Sequence, residues 1–365
     1  MGDILITRVG TYGITSYVSA NEQFCLGQNI AAIKPNIDAR YLYFCLQSPF
    51  VKNQIEQSVV GSTQKPLSLG HIKKLVIPIF AEPEQKRISD LLGSLEDKIE
   101  LNRRMNATLE AMAQALFKSW FVDFDPVKAK AEGRTPEGMD AETAALFPDR
   151  FEGSELGEIP AGWSTGSILT QAKVLSGGTP KTEQPDYWNG SIRWASAKDV
   201  SQARQTFLVT TERTITSKGL EESATQLIPA LGTVIAARGA TTGRMVLLGT
   251  EMAMNQTCYA LVSSIGTPLA LHCRLRQAID ALVHAAHGSV FDTITTSTFS
   301  TSKIVLPSTQ TLQVFEQIVS SIVGKILTAT GECLALTPLR DTLLPKLISG
   351  QLRIPEAEAM AEGIL

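Results

Sequence analysis

The sequence predicts an α+β protein with a pseudo-twofold internal repeat: two mixed α/β modules, each followed by a long helix, with the two helices pairing through a coiled-coil seam. Three observations predict it. Gly2-Asp3-Ile4-Leu5-Ile6-Thr7-Arg8-Val9-Gly10-Thr11-Tyr12-Gly13 aligns with Gly232-Thr233-Val234-Ile235-Ala236-Ala237-Arg238-Gly239-Ala240-Thr241-Thr242-Gly243. Further on, Lys74-Leu75-Val76-Ile77-Pro78 aligns with Lys303-Ile304-Val305-Leu306-Pro307. A long heptad pattern follows each of these blocks. A repeat of roughly 230 residues is far too long for a solenoid unit, so the chain holds two copies of one module. Such a protein is suited to two similar targets, or to one target with two similar halves.

Within the first module, residues 1–80, the runs Asp3–Arg8 and Asn29–Lys34 read as short strands. Ala39–Ser58 has helical spacing of Leu42, Leu46, Phe50 and Ile55. In residues 81–122, Ile88, Leu92, Leu95, Ile99, Asn102, Asn106, Leu109, Ala113, Leu116 and Trp120 alternate by four and three without a slip. That is a heptad seam on about 57 Å of helix. Residues 123–160, rich in Glu, Ala, Gly and Pro, read as a linker. Residues 161–310 form the second module.

The second helix, 311–350, carries the same seam at a constant offset of 227: Phe315, Val319, Ile322, Ile326, Ala329, Cys333, Leu336, Arg340, Leu343 and Leu347. Antiparallel pairing about the midpoints sets Asn102 and Asn106 opposite Ala329 and Cys333, a register device that costs some stability. Pro338 and Pro345 predict a kink or an early break. The tail, 351–365, is short and acidic and reads as frayed. The copies are unequal: the second has about 70 residues between Trp163 and Gly232, whereas the first has only Met1 before Gly2. The front half of the first module is missing from this sequence, as a misplaced start or a truncated gene would leave it.

The bulk composition fits a soluble globular chain: 365 residues, 44% hydrophobic and 19% charged. No apolar run reads as a membrane span and no signal-peptide layout is seen, so a cytoplasmic protein is expected. The five cysteines lack metal-ligand spacing and read as buried reduced thiols; the four scattered histidines suggest no metal site. The net charge of −3 hides a pattern. Residues 1–80 carry +3 (7 basic, 4 acidic) and residues 161–310 carry +3 (12 basic, 9 acidic). The segments 81–125, 126–160 and 311–365 carry −3 (6 and 9), −4 (4 and 8) and −2 (4 and 6). Basic modules and acidic helices suit DNA contact through the modules alone. So small a surplus predicts weak, salt-sensitive binding unless a partner adds affinity.

Catalytic signatures are absent. There is no phosphate loop of the Walker type, no amino-methyltransferase motif (Asp123-Phe124-Asp125-Pro126 is not one) and no nucleophile–histidine arrangement. What recurs is a set of polar loops. Arg8, Thr11 and Tyr12 match Arg238, Thr241 and Thr242, followed by Arg244; Gln28 and Asn29 match Gln256 and Thr257, with Asn255 just before. Gly61–Lys65 matches Gly288–Asp292, adding Lys65 and Ser289. Ser176-Gly177-Gly178-Thr179-Pro180-Lys181 reads either as a turn or as a loop approaching phosphate or a base edge; Gly177, Thr179, Lys181 and Lys198 complete the set. Arg and Lys grip guanine or phosphate, Asn and Gln pair with adenine, and Thr meets the thymine methyl.

At this point the chain resembles the DNA-specificity subunits of type I restriction–modification systems. The resemblance rests on the duplicated Gly2–Gly13 and Gly232–Gly243, on Leu26–Asn29 and Met254–Thr257, on Ile77-Pro78 and Leu306-Pro307 leading into the helices, on Leu156–Trp163 followed by Ser176–Pro180, and on Leu343–Gly350. It implies two target-recognition domains separated by two antiparallel helices that act as a ruler. Each domain would read one half of a split site in double-stranded DNA, and the first would lack its front part. Modification subunits using S-adenosylmethionine would dock on the helices and methylate adenines. A restriction subunit would add ATP- and Mg-dependent translocation and cleavage. No cofactor is expected in this chain itself. Rival readings are a specificity subunit serving methylation alone and a scaffold that binds its partner without reading DNA. A hydrolase or transferase acting alone fits least.

Overall fold

The computed structural model describes residues 2–19, 23, 25–59, 66–203, 205–285 and 293–362. The chain forms two compact units, Met1–Arg103 with Gly331–Leu365, and Arg104–Thr330.

The first unit opens with strands β1 (Ile4–Thr7), β2 (Thr15–Tyr17) and β3 (Ile30–Ile33) in the order β2-β1-β3, both pairings antiparallel. Ile4 and Ile6 point into a core with Leu42, Leu46, Val51, Ile55 and Leu67. The single helix expected over Ala39–Ser58 is two, α1 (Ala39–Gln47) and α2 (Pro49–Val59). Asp38 caps α1 by accepting the Tyr41 amide at 2.7 Å. Pro49 offers no N–H and pushes Ser48 into extended backbone (ψ 147°), which ends the first helix. A short α3 (Leu69–Lys73) follows.

Helix α4 (Glu82–Phe121) gives its first half to this unit. There Ile88, Leu92, Leu95 and Ile99 are essentially inaccessible and pack against Tyr41, Phe44, Cys333, Leu336, Leu343 and Leu347. The last four of those partners belong to α11 (Thr309–Ile348), which crosses Pro338 and Pro345 without a break. Burial of Leu336, Leu339, Leu343, Leu344 and Leu347 outweighs the roughly 3 kcal/mol a helical proline costs. The expected frayed tail instead folds as α12 (Ile354–Glu362), because Ile354, Ala357 and Ala361 reach the same core. By length and composition α11 could cross a membrane, against the expectation that no segment could. Hydropathy is blind to the fact that its apolar seam is already covered by α4 in this unit.

In the second unit the presumed linker is also folded. It forms α5 (Asp125–Ala131), α6 (Ala141–Ala145) and the hairpin β4 (Phe151–Ser154)–β5 (Gly157–Pro160). Val127, Phe147 and Ile159, spaced too widely to show a period, are buried with Trp120, Phe121, Trp163 and Phe315. The remaining strands are β6 (Ser164–Ser167), β7 (Ala172–Ser176), β8 (Trp188–Ala195), β9 (Phe207–Leu208), β10 (Arg213–Ile215), β11 (Thr233–Ala236), β12 (Met245–Leu248), β13 (Ala253–Met254), β14 (Cys258–Ser263) and β15 (Lys303–Leu306). Helices α7 (Ala197–Gln202), α8 (Ser217–Glu221), α9 (Pro268–Ala285) and α10 (Thr296–Thr301) lie between them. The main sheet has the order β7-β14-β11-β12-β9; β10-β8-β13 form a second sheet, and β15 pairs with β6.

The internal repeat is visible in the registers. Ile4 pairs with Tyr17 and Ile33; Thr233 pairs with Leu247 and Leu261. Thus β2-β1-β3 and β12-β11-β14 are the same meander. The backbone corrects the alignment by one residue. Thr7 N–H donates to Ile14 O and Gly13 N–H to Thr7 O, as Ala236 N–H does to Arg244 O and Gly243 N–H to Ala236 O. Arg8 donates to Asn29 O and accepts from Leu67 N–H; Ala237 donates to Thr257 O and accepts from Ile294 N–H. Arg8 therefore stands where Ala237 stands. Arg238 is an extra residue in a longer second loop, not its counterpart.

Candidate nucleic-acid interface

In the second unit the glycine-rich loop lies against the Met254–Thr257 turn. A Cβ on Gly177 would fall 2.0 Å from Asn255 O, and one on Gly178 would fall 2.4 Å from Thr225 N. The glycines thus serve close approach to neighbouring protein backbone rather than to a phosphate. Gly178 N–H donates to Met254 O, and the Thr179 hydroxyl donates to Gln256 Oε1. Asn255 Oδ1 accepts from both the amide and the hydroxyl of Thr257, a turn-holding role that occupies this oxygen. The indole N–H of Trp194 reaches Gly178 O at 3.0 Å, and that of Trp188 reaches Lys181 O at 3.2 Å. Gly177, Thr179, Lys181, Asn255 and Gln256 are therefore brought together on one platform, with Thr179, Lys181 and Gln256 exposed. Lys198, on α7, is bonded at 2.6 Å to Glu212, which holds its ammonium above the ordinary range. Its charge is already answered.

The turn between β11 and β12 carries Arg238, Thr241, Thr242 and Arg244. Gly239 (φ 84°) and Gly243 (φ 88°) adopt left-handed backbone that side chains resist. The Thr242 hydroxyl donates to Gly239 O at 2.7 Å and braces the turn. Arg238 and Arg244 are exposed. Arg244 lines a cavity of about 430 Å³ with Thr242, Gln205, Glu110 and Arg276. Arg276 was not anticipated from the sequence. Its Nε is buried with no hydrogen-bond partner among the described residues.

The first unit repeats this cavity at about 540 Å³, with Thr11, Tyr12 and Gly13 on one side and Lys52 and Glu56 of α2 on the other. Ile55 and Ile279 occupy matching core places below the two meanders, so Lys52 and Glu56 correspond to Arg276 and Asp280. A recurring basic–x-x-x–acidic pair was readable at a fixed offset of 224. Thr11, Tyr12, Gln28 and Asn29 are exposed, whereas Arg8 is half-buried with Nε bonded to Leu67 O at 3.0 Å. Lys65 and Ser289, with their loops Gly61–Lys65 and Gly288–Asp292, lie outside the described residues.

The expected helix seam is present in each unit. Leu109, Leu116 and Ile322 are half-buried; Ile326, Leu336 and Leu343 are fully packed. The polar positions depart from the expected pairing with small residues. Asn102 Nδ2 donates to Glu332 Oε2 at 2.8 Å within the first unit. Asn106 Nδ2 donates to the Thr330 hydroxyl at 3.2 Å within the second, and that hydroxyl donates to Gln205 Oε1 at 2.8 Å. Arg340 forms an ion pair with Glu96 in the half-exposed margin of the seam. Cys45, Cys258, Cys273 and Cys333 are buried as expected; Cys25 is exposed.

Residues 1–111 and 160–336 match the family model of the type I restriction modification DNA specificity domain. The chain belongs to that family. The two matched stretches cover the two copies of the module, and the protein is a DNA sequence-recognition subunit of type I restriction–modification. It is 29% identical to the type I restriction enzyme HindI specificity subunit of Haemophilus influenzae, across 96% of this chain and 86% of that protein. It is 23% identical to the type I restriction enzyme MjaIX specificity subunit of Methanocaldococcus jannaschii, across 97% of this chain and 78% of that one. The crystal structure of the type I restriction–modification S subunit from M. genitalium superimposes with a TM-score of 0.61 at 15% identity, across 95% and 83% of the two chains. That likeness supports the fold.

Proposed function

We propose that this specificity subunit reads a bipartite site in double-stranded DNA, each copy of the module contacting one half. It would hold adenine-modification subunits and a restriction subunit on its helices while supplying no catalytic group. S-adenosylmethionine, ATP and Mg would be used by those partners, in the cytoplasm. The observation that supports two readers is the meander present twice in the same register, each followed by the same glycine-closed turn and the same cavity. In the second unit the exposed groups around these features are arginine, lysine, threonine and glutamine, which suit base edges and phosphates.

The experiment is a methylome. The chain is expressed with its neighbouring modification subunit in a methylation-free host, and modified adenines are mapped. A split motif with a fixed gap is expected. An assembled complex that leaves the genome unmodified would overturn the reading. Arg238→Ala should weaken specific binding by about 1–3 kcal/mol through loss of a base contact; an unchanged affinity and motif would remove Arg238 from the interface.

A further inference from the structure

We propose that Arg213 is a specificity-determining residue of the second unit, presenting a preorganised guanidinium fork to a guanine edge. The inference rests on the DNA-reading function above and adds to it a residue that no motif singled out.

Arg213 opens β10 and is exposed. Its guanidinium carbon lies 3.4 Å from the Trp188 ring centroid and 5.8 Å from that of Trp194. The two indoles meet edge to face at 5.3 Å and 90°. Both are buried, and both are tied by their N–H groups, to Lys181 O and Gly178 O. The surface under the guanidinium is therefore immobile, and it is bonded to the loop that carries Thr179 and Lys181.

Three other arginines face carboxylates: Arg40 with Asp97, Arg87 with Glu358, Arg340 with Glu96. Arg213 is held by a ring instead. Among the described residues no ion pair and no hydrogen bond takes its guanidinium donors. A ring contact at this distance spends none of the guanidinium's in-plane N–H donors. Such a fork matches guanine O6 and N7 in a bidentate contact, and its pre-set orientation spares entropy on binding. The ammonium of lysine can meet both acceptors but cannot stack as a plane, so this tryptophan surface would not pre-set its orientation.

The test uses the full chain assembled with its neighbouring modification subunit and a pool of short duplexes with a randomised centre, sequencing the bound fraction for wild type, Arg213→Lys and Arg213→Ala. Near-ultraviolet circular dichroism of the tryptophans and thermal melting report folding, and the lysine variant carries the test if alanine loosens the sheet. The expected result is a motif in which one guanine becomes degenerate, with discrimination there falling about 5- to 150-fold, while the other positions persist. An unchanged motif in a folded Arg213→Lys would overturn the proposal. So would uniform weakening with no change of motif, which would make Arg213 a phosphate contact. A wild-type complex that enriches no motif would sink the DNA-reading function itself, a separate outcome.

Discussion

In the second unit β11 lies at the centre of five strands, and all four of its residues are buried. In the first unit β1 lies at the centre of three, with Ile4 and Ile6 buried and Leu5 and Thr7 only half-buried. The same meander thus serves two environments. A strand covered on one face alternates, and the alternation fixes its register; a strand covered on both faces is apolar throughout and fixes nothing. The extra cover in the second unit comes from residues 161–231, whose Ala195, Val200, Leu208 and Ile228 pack against Val234 and Ala236, while Leu271, Leu275 and Ile279 of α9 pack in the cluster that holds Ile235. The units also differ in filling. Around the helices the second unit packs Trp120, Phe121, Phe147, Trp163 and Phe315 in ring contacts, whereas the first uses Ile88, Leu92, Leu95 and Ile99 against leucines.

The largest expected effect comes from breaking the aromatic filling. Phe315 touches Phe117, Trp120 and Phe121 with centroids 5.4–6.0 Å apart. Phe315→Ala should cost about 3–5 kcal/mol. Hydrogen exchange should then accelerate across residues 104–330 before it accelerates in the first unit. Leu343→Ala, at about 2–5 kcal/mol, should do the reverse. Equal acceleration everywhere in both variants would show that the two units open as one, and the comparison would lose its meaning.

A second prediction is confined to the second unit. His272 on α9 is completely buried, with Nδ1 3.2 Å from the Thr233 hydroxyl. Desolvation, helped by the charge of Arg276, pushes its pKa down to about 3. The folded-state value is depressed, so the folded protein keeps this ring neutral while the unfolded chain protonates it below its ordinary value of about 6.5. The corresponding stability is fully present above pH 6.5 and is lost as pH falls towards 3, by about 1.4 kcal/mol per pH unit within that window. Urea denaturation from pH 7 to pH 4 should show the second unit weakening, and His272→Gln should flatten that dependence. A wild-type profile identical to the variant's would contradict it.

Much of this was legible in the sequence because it is periodic. The heptad spacing located both helices, and the glycine-closed turn located both meanders. Three things escaped. The register slip that paired Arg8 with Arg238 arose because Val234–Ala237 are all apolar and buried, leaving no alternation to count. The fold of 125–160 rests on isolated anchors, Val127, Phe147 and Ile159, whose partners lie far away in sequence. Likewise the platform under Arg213 joins Gly178, Lys181, Trp188 and Trp194 through indole-to-carbonyl bonds that no local motif encodes. Of the polar loop residues, Asn255 and Lys198 turn out to be engaged within the protein.

The smallest effect separates the two seam asparagines, one in each unit. Asn102 donates to Glu332, whose carboxyl is held below the usual range first by that bond and then by Lys98. Asn102→Leu removes a charge-assisted bond from a buried amide to a half-exposed carboxylate and should cost the first unit about 1 kcal/mol. Asn106 differs: it gives Thr330 a long bond, and its Oδ1 is buried with no partner among the described residues. An unmet acceptor carries a desolvation penalty that leucine does not. Asn106→Leu should therefore leave the second unit's stability unchanged or raise it by up to about 1 kcal/mol, while freeing Thr330 and Gln205 to shift. Chemical denaturation followed unit by unit decides it. A loss on Asn106→Leu as large as that on Asn102→Leu would mean that the buried oxygen is satisfied in solution, and the two seam positions would then be equivalent.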